Sequence, residues 1–149
     1  MSAERIQHLA AWSAWVPFDE AARTAPQEPG VYVVRTAEDS CLVYIGKAGP
    51  RQGKGIRGRL SVYATGKGAV SGLGEAAFNR ALADADWVRG RLAALEAAGP
   101  SGAQQWARAA IDRAGLELCW ATATDDAAAR MLEKQCLVSL TGCGLWNVG

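Results

Sequence analysis

The stretch Pro29-Gly30-Val31-Tyr32-Val33-Val34-Arg35-Thr36-Ala37-Glu38-Asp39-Ser40-Cys41-Leu42-Val43-Tyr44-Ile45-Gly46-Lys47-Ala48 decides the fold. Two runs rich in β-branched and aromatic residues, 31–36 and 41–46, flank the polar tetrapeptide 37–40, which predicts a β-hairpin. The breaker Pro26-Gln27-Glu28-Pro29-Gly30 separates it from the chain before it. Tyr32 and Tyr44 stand 12 residues apart, so parity decides where their rings go. A turn centred on Glu38 sets them directly opposite, with both phenols on one face. A loop of even length, with Thr36 paired to Cys41, sends them to opposite faces. Tyrosine is a favoured strand residue, so two half-buried aromatics are the plain alternative to a site.

Outward from the hairpin, 47–55 is a basic, glycine-bearing loop, and a helix is predicted over 56–64 with Ile56, Leu60 and Tyr63 on one stripe. Arg59 and Tyr63 are four apart, hence neighbours on that helix. Arg59 borders the apolar stripe and is the better candidate for a site. Arg57 flanks the stripe on its other side, beside Ser61, and is not excluded. Gly53-Lys54-Gly55-Ile56-Arg57-Gly58 matches G-x-G-x-x-G, but the preceding strand ends seven residues earlier and Phe78 occupies the place of the ribose-binding acid. A nicotinamide cofactor is therefore not expected. What remains of the motif is a backbone open to close approach by phosphate.

The remaining chain reads as helices and one late strand. A short helix is expected over 2–15, and Pro17 begins a further turn. A glycine-rich connector at 66–74 leads to one long helix over 75–98, with Phe78, Leu82, Ala85, Leu92 and Leu95 on a face. Gly99-Pro100 ends it, a helix follows over 101–114, and a strand over 116–123. The last helix is expected over 124–140, with Thr124 as hydroxyl cap and Asp125 and Asp126 at the positive end of its dipole. On that helix Glu133 has Ala129, Cys136, Leu137 and Leu140 as same-face neighbours. An ionised carboxylate there costs several kcal/mol unless it is paired or binds a metal. A salt bridge to Arg130 or Arg59 is the structural alternative.

Composition narrows the classes. Of 149 residues half are hydrophobic and 21% charged, as in an ordinary globular protein. No apolar run approaches a membrane span, and Glu4, Arg5 and Gln7 stand where a secretory leader would place its apolar core. Cys41, Cys119, Cys136 and Cys143 form no C-x-x-C pair and, with His8 alone, make a poor zinc set. Free thiols of this kind fit a cytoplasmic location. The net charge of +1 conceals six basic residues and no acid between Lys47 and Gly74, which leaves −5 on the remainder. A basic segment on an otherwise acidic chain points to phosphate or nucleic acid.

Taken together, these residues resemble the GIY-YIG nuclease family. Pro29-Gly30-Val31-Tyr32 stands for the first half-motif and Val43-Tyr44-Ile45-Gly46-Lys47-Ala48 for the second; a helix with Arg59 and Tyr63, a late helix with Glu133 and a closing Asn147 follow. Motif character is nearest the nuclease domain of the excision-repair incision enzyme. Val31 replaces the isoleucine, the loop after Lys47 is long, and Asn147 lacks the usual preceding proline. The resemblance implies an α+β fold with a three-stranded antiparallel sheet flanked by helices. Its core would be 26–65 and 115–149, with 1–25 a helical extension and 66–114 a helical insertion.

The resemblance also implies a metal-dependent endonuclease that hydrolyses phosphodiester bonds in DNA. Glu133 would hold one Mg²⁺ or Mn²⁺, and Tyr32, Tyr44, Lys47, Arg59, Tyr63 and Asn147 would complete the catalytic set. Of the two hairpin tyrosines, Tyr32 is favoured as proton acceptor. Lys47, Arg51, Lys54, Arg57 and Lys67 would contact DNA phosphates without reading sequence. The competing expectation is a catalytically weak nucleic-acid-binding or protein-interaction module on the same fold.

Overall fold

The hairpin forms where the β-branched runs place it. Strands β2 (Gly30–Thr36) and β3 (Leu42–Ala48) pair antiparallel in a computed structural model that describes residues 2–147. Strand β4 (Leu116–Thr122) pairs antiparallel with the other side of β2. The expected three strands are joined by a fourth, β1 (Val16–Pro17), and the order across the sheet is β1-β4-β2-β3. Pro17 is tolerated because β1 is an edge strand of two residues. Around the sheet the chain adds helices α1 (Phe18–Thr24), α2 (Gly55–Ala64) and α6 (Asp126–Ser139), an α+β arrangement.

The predicted helix over 2–15 is replaced by two 3₁₀ turns, Ser2–Arg5 and Gln7–Leu9, followed by extended chain. Partners distant in sequence override the local helical spacing. The Ser13 N–H donates to the Trp120 carbonyl at 2.8 Å, and the Ser13 hydroxyl accepts from the Trp120 N–H at 2.9 Å. This pins the segment alongside β4 and leads it into β1.

Register in the hairpin combines both parities weighed from the sequence. Near the turn, the Thr36 N–H donates to the Cys41 carbonyl and Arg35 faces Leu42, as in the even loop. The register then shifts by one, and Val34 faces Tyr44, Val33 faces Ile45 and Tyr32 faces Gly46. Val43 is the extra residue of this β-bulge. Its carbonyl accepts a 2.6 Å hydrogen bond from the Trp146 N–H. The bulge returns Tyr32 and Tyr44 to one face of the sheet.

On the opposite face Val31, Val33, Ile45 and Cys119 pack with Cys136 and Leu140 of α6 and with Ile6. On the tyrosine face, Gly30 lies so close to Ile56 of α2 that a Cβ would come within 2.7 Å of the isoleucine Cδ1. Helix α6 is capped by Asp125, whose carboxylate accepts from the Ala128 N–H at 2.8 Å. The cap is thus the carboxylate one residue after the predicted Thr124.

The chain divides into two compact units, one built from the residues before Val62 and after Ala114, the other from Val62–Ala114. The second begins four residues before the predicted insertion, so Tyr63 belongs to it. It contains α3 (Gly72–Leu82), α4 (Ala85–Ala98) and α5 (Ala103–Ala114). The predicted single helix over 75–98 is therefore broken. The Asp84 carboxylate caps α4, accepting from the Asp86 and Trp87 N–H groups at 3.1 and 3.3 Å, and also accepts from Arg113 Nε at 2.9 Å. The break disperses the expected apolar stripe. Leu82 and Leu92 are each 51% exposed, while Leu73, Ala77, Ala81, Ala110 and Ile111 are buried instead. Among the described residues no helix is long and apolar enough to cross a membrane.

Candidate active site

The rings of Tyr32 and Tyr44 stack on the sheet face with centroids 6.3 Å apart and planes 24° from parallel. Tyr32 lies across Gly46 on the neighbouring strand, where a Cβ would overlap its Cζ and hydroxyl. Only glycine at position 46 leaves room for the ring. Tyr32 is 1% exposed, whereas Tyr44 is partly exposed. Access to water therefore belongs to Tyr44 and not to the tyrosine expected as proton acceptor.

Lys47 points to the other face of β3, in line with Ile45, and meets α6 there. Its Nζ donates to Asp126 Oδ1 at 2.5 Å. The second Asp126 oxygen accepts from Arg130 Nη2 at 2.7 Å. Gly49 makes the space, because a Cβ there would sit 2.8 Å from Asp126 Oδ1. The Lys47 hydrogen bond holds the Asp126 carboxyl below the usual carboxylate range, with burial opposing and both cations assisting.

Glu133 completes this face of α6 at i, i+4, i+7 spacing from Asp126 and Arg130. It is half-buried and makes no hydrogen bond or ion pair among the described residues, so the salt bridge considered from the sequence is not formed. Burial pushes its carboxyl above the usual range. Lys47 and Arg130 pull it back, and the Asp126 charge adds to the rise. One turn on, Cys136 is buried, and its thiol is pushed up to about 11 by burial and then by the Glu133 charge. That thiol stays protonated and inert at neutral pH.

Asn147 serves the backbone of β3. Its Oδ1 accepts from the Ile45 N–H at 3.0 Å and its Nδ2 donates to the Ile45 carbonyl at 2.7 Å. With the Trp146 bond to Val43, this closes part of an edge strand that would otherwise expose unpaired amides. Of the two roles open to this amide, holding backbone or holding substrate, both of its described hydrogen bonds go to the Ile45 backbone.

The basic segment is used unevenly. Arg51 and Lys54 are exposed. Arg57 donates its Nε to the Ala25 carbonyl at 2.8 Å and anchors the start of α2. Arg59 is partly buried two residues further along the same helix. Lys67 is exposed and lies in the second unit. In that unit too, the Tyr63 hydroxyl accepts from the Leu73 N–H at 3.3 Å, and the ring packs against Gly68 and Gly74.

The phosphate-approach reading of the glycine motif is corrected. The N–H groups of Gly53, Lys54 and Gly55 all donate to the Pro50 carbonyl, those of Ile56 and Arg57 to Glu28 and Pro26, and that of Gly58 to Lys54. Six successive amides are committed within the protein, which leaves no backbone cradle for phosphate.

A cation at Glu133 would have this one carboxylate as its protein ligand. Glu133 is half-buried without a direct partner, and the described residues hold no group of three or more histidine, cysteine or acidic side chains suited to a metal. Water and phosphate oxygens would fill the other positions, as is usual for Mg²⁺. Local sequence marks Asp126 only as a dipole-compensating acid; its spacing of seven from Glu133 is the signal that joins them. Compared with family models, curated proteins and solved structures, the chain matches none.

Proposed function

We propose that this protein is a divalent-cation-dependent endonuclease of the GIY-YIG type acting on DNA. The observation that carries the reading is Glu133, a half-buried carboxylate without a direct ion-pair partner, on the helix that meets Lys47 at the end of the second half-motif. The tyrosines stack on the other face of β3, whose edge at Val43 and Ile45 is taken by Trp146 and Asn147. In this reading a phosphodiester meets both faces at the end of the strand beyond Ile45.

In this reading water adds to phosphorus, one P–O ester bond breaks and the departing alkoxide takes up a proton from solvent. Glu133 would hold the divalent cation, which would supply neutralisation of the negative charge that develops in the reaction. Tyr44, the accessible phenol, takes the proton from water. A phenol has a pKa near 10, so this role needs a cationic setting. Arg59, on the helix whose Ile56 packs at the tyrosine face, is the cation offered for it. Tyr32 supports Tyr44 from beneath, and exposed Arg51 and Lys54 contribute phosphate contacts that weaken with salt.

The deciding experiment is nicking of supercoiled plasmid. Cleavage should require Mg²⁺ or Mn²⁺, stop with EDTA and be lost in Glu133→Gln while DNA binding persists. Equal cleavage by wild type and Glu133→Gln overturns the proposal. So does binding without turnover across metals and DNA structures, which is the outcome for a non-catalytic module.

A further inference from the structure

Two cations act on Glu133, yet neither pairs with it directly. Both are taken by one residue on the same helix face. Lys47 Nζ lies 2.5 Å from one Asp126 oxygen and Arg130 Nη2 lies 2.7 Å from the other. The pocket for that carboxylate is shaped by the missing side chain at Gly49. A lysine ammonium and a half-buried carboxylate left without other partners would pair with each other, since an unpaired buried charge is costly. Such a pair would occupy the oxygens a cation needs.

We propose that Asp126 is a positioning residue that keeps Glu133 open by holding Lys47 and Arg130 away from it, so that the Glu133 carboxylate remains available to a divalent cation. The inference rests on the endonuclease reading for its purpose, but its structural content is separate. Asp126 does not touch substrate or metal. It acts through the side chains it holds.

The test measures Mn²⁺ binding by loss of the free-ion electron paramagnetic resonance signal, using the full-length protein without DNA. Wild type should bind one ion that Glu133→Gln does not. Asp126→Asn should weaken that site about tenfold, in the range for residues that support a metal ligand. Asp126→Glu should recover part of the loss. The control is Asp125→Asn, which removes the same charge one residue away while keeping an acceptor for the Ala128 N–H.

Little effect of Asp125→Asn beside a clear effect of Asp126→Asn supports sequestration. Equal weakening by both means general electrostatics and overturns it. Wild-type affinity in Asp126→Asn, or no Mn²⁺ bound by wild type, overturns it also. Failure of the endonuclease reading is recognised separately, as a wild type that does not cut DNA. Plasmid cleavage by Asp126→Asn should need more Mg²⁺ for half-maximal rate and approach the wild-type rate at saturating Mg²⁺.

Discussion

The ring of Tyr32 lies directly over the α-carbon of Gly46, its register partner on the next strand. This contact explains why position 46 is glycine without appeal to backbone conformation, since Gly46 is not among the residues with positive φ. It also explains how a phenol comes to be 1% exposed beside an edge strand.

Gly46→Ala should therefore displace Tyr32. Overpacking of a buried ring costs about 1–3 kcal/mol. Urea denaturation should report a loss of that size, and cleavage should fall with it because Tyr44 loses the ring it stacks on. Wild-type stability in Gly46→Ala would mean that the ring has another place to go.

Tyr44→Phe should lower kcat by roughly 10²–10⁴, the usual contribution of a positioned acid or base. Tyr32→Phe should cost much less, because the ring and its packing are kept and the more accessible phenol remains. Rates measured at saturating Mg²⁺ across pH decide between them. A larger loss in Tyr32→Phe would return the proton to the buried residue.

Glu133 should cost stability for the sake of the site. Its carboxyl is raised in the folded state above the ordinary glutamate value, so the folded chain holds this proton more tightly than the unfolded chain. The resulting stability is present at pH below the unfolded value and is lost as pH rises through the folded value. Glu133→Gln should thus raise Tm at pH 7, in the absence of metal, and leave it nearly unchanged below pH 4. Thermal melts at the two pH values check the sign; a lower Tm at pH 7 would contradict it.

Asp126 has the opposite linkage. Its carboxyl is lowered chiefly by the Lys47 hydrogen bond, so its contribution is full above the ordinary aspartate value and disappears as pH falls through the depressed folded value. Acid titration followed by circular dichroism should show wild type losing this part only in that low range. Lys47→Met should remove most of the difference, and an unchanged acid midpoint in Lys47→Met would show that the pair does not carry it.

Asn147→Ala should remove two hydrogen bonds to Ile45, a net loss of about 1–3 kcal/mol at the usual value per bond. At a temperature where both proteins are fully folded, cleavage should fall less than tenfold. A loss of several orders of magnitude under those conditions would mean that the amide serves the substrate instead.

The hairpin, the late strand, helix α2 and the last helix with Glu133 could all be read from residue pattern, because each is set by local periodicity and by breakers beside it. The apolar neighbours of Glu133 likewise follow from helical spacing alone, and they predict its raised carboxyl. Local pattern fails in two places. The segment 2–15 has helical spacing but is drawn out by Ser13 bonding to Trp120, and the stripe over 75–98 ignores the capping power of Asp84.

Tertiary structure alone decided which face the tyrosines share. Parity left two answers, and the chain uses both, joined by a bulge at Val43 whose carbonyl is taken by Trp146 from the far end of the sequence. It also decided that Lys47 belongs to Asp126 and that Asn147 belongs to Ile45. Periodicity constrains a residue against its neighbours within a turn or a strand. The partner of a charge or an amide is chosen by distance in space, and that distance exists only once the helix has packed on the sheet.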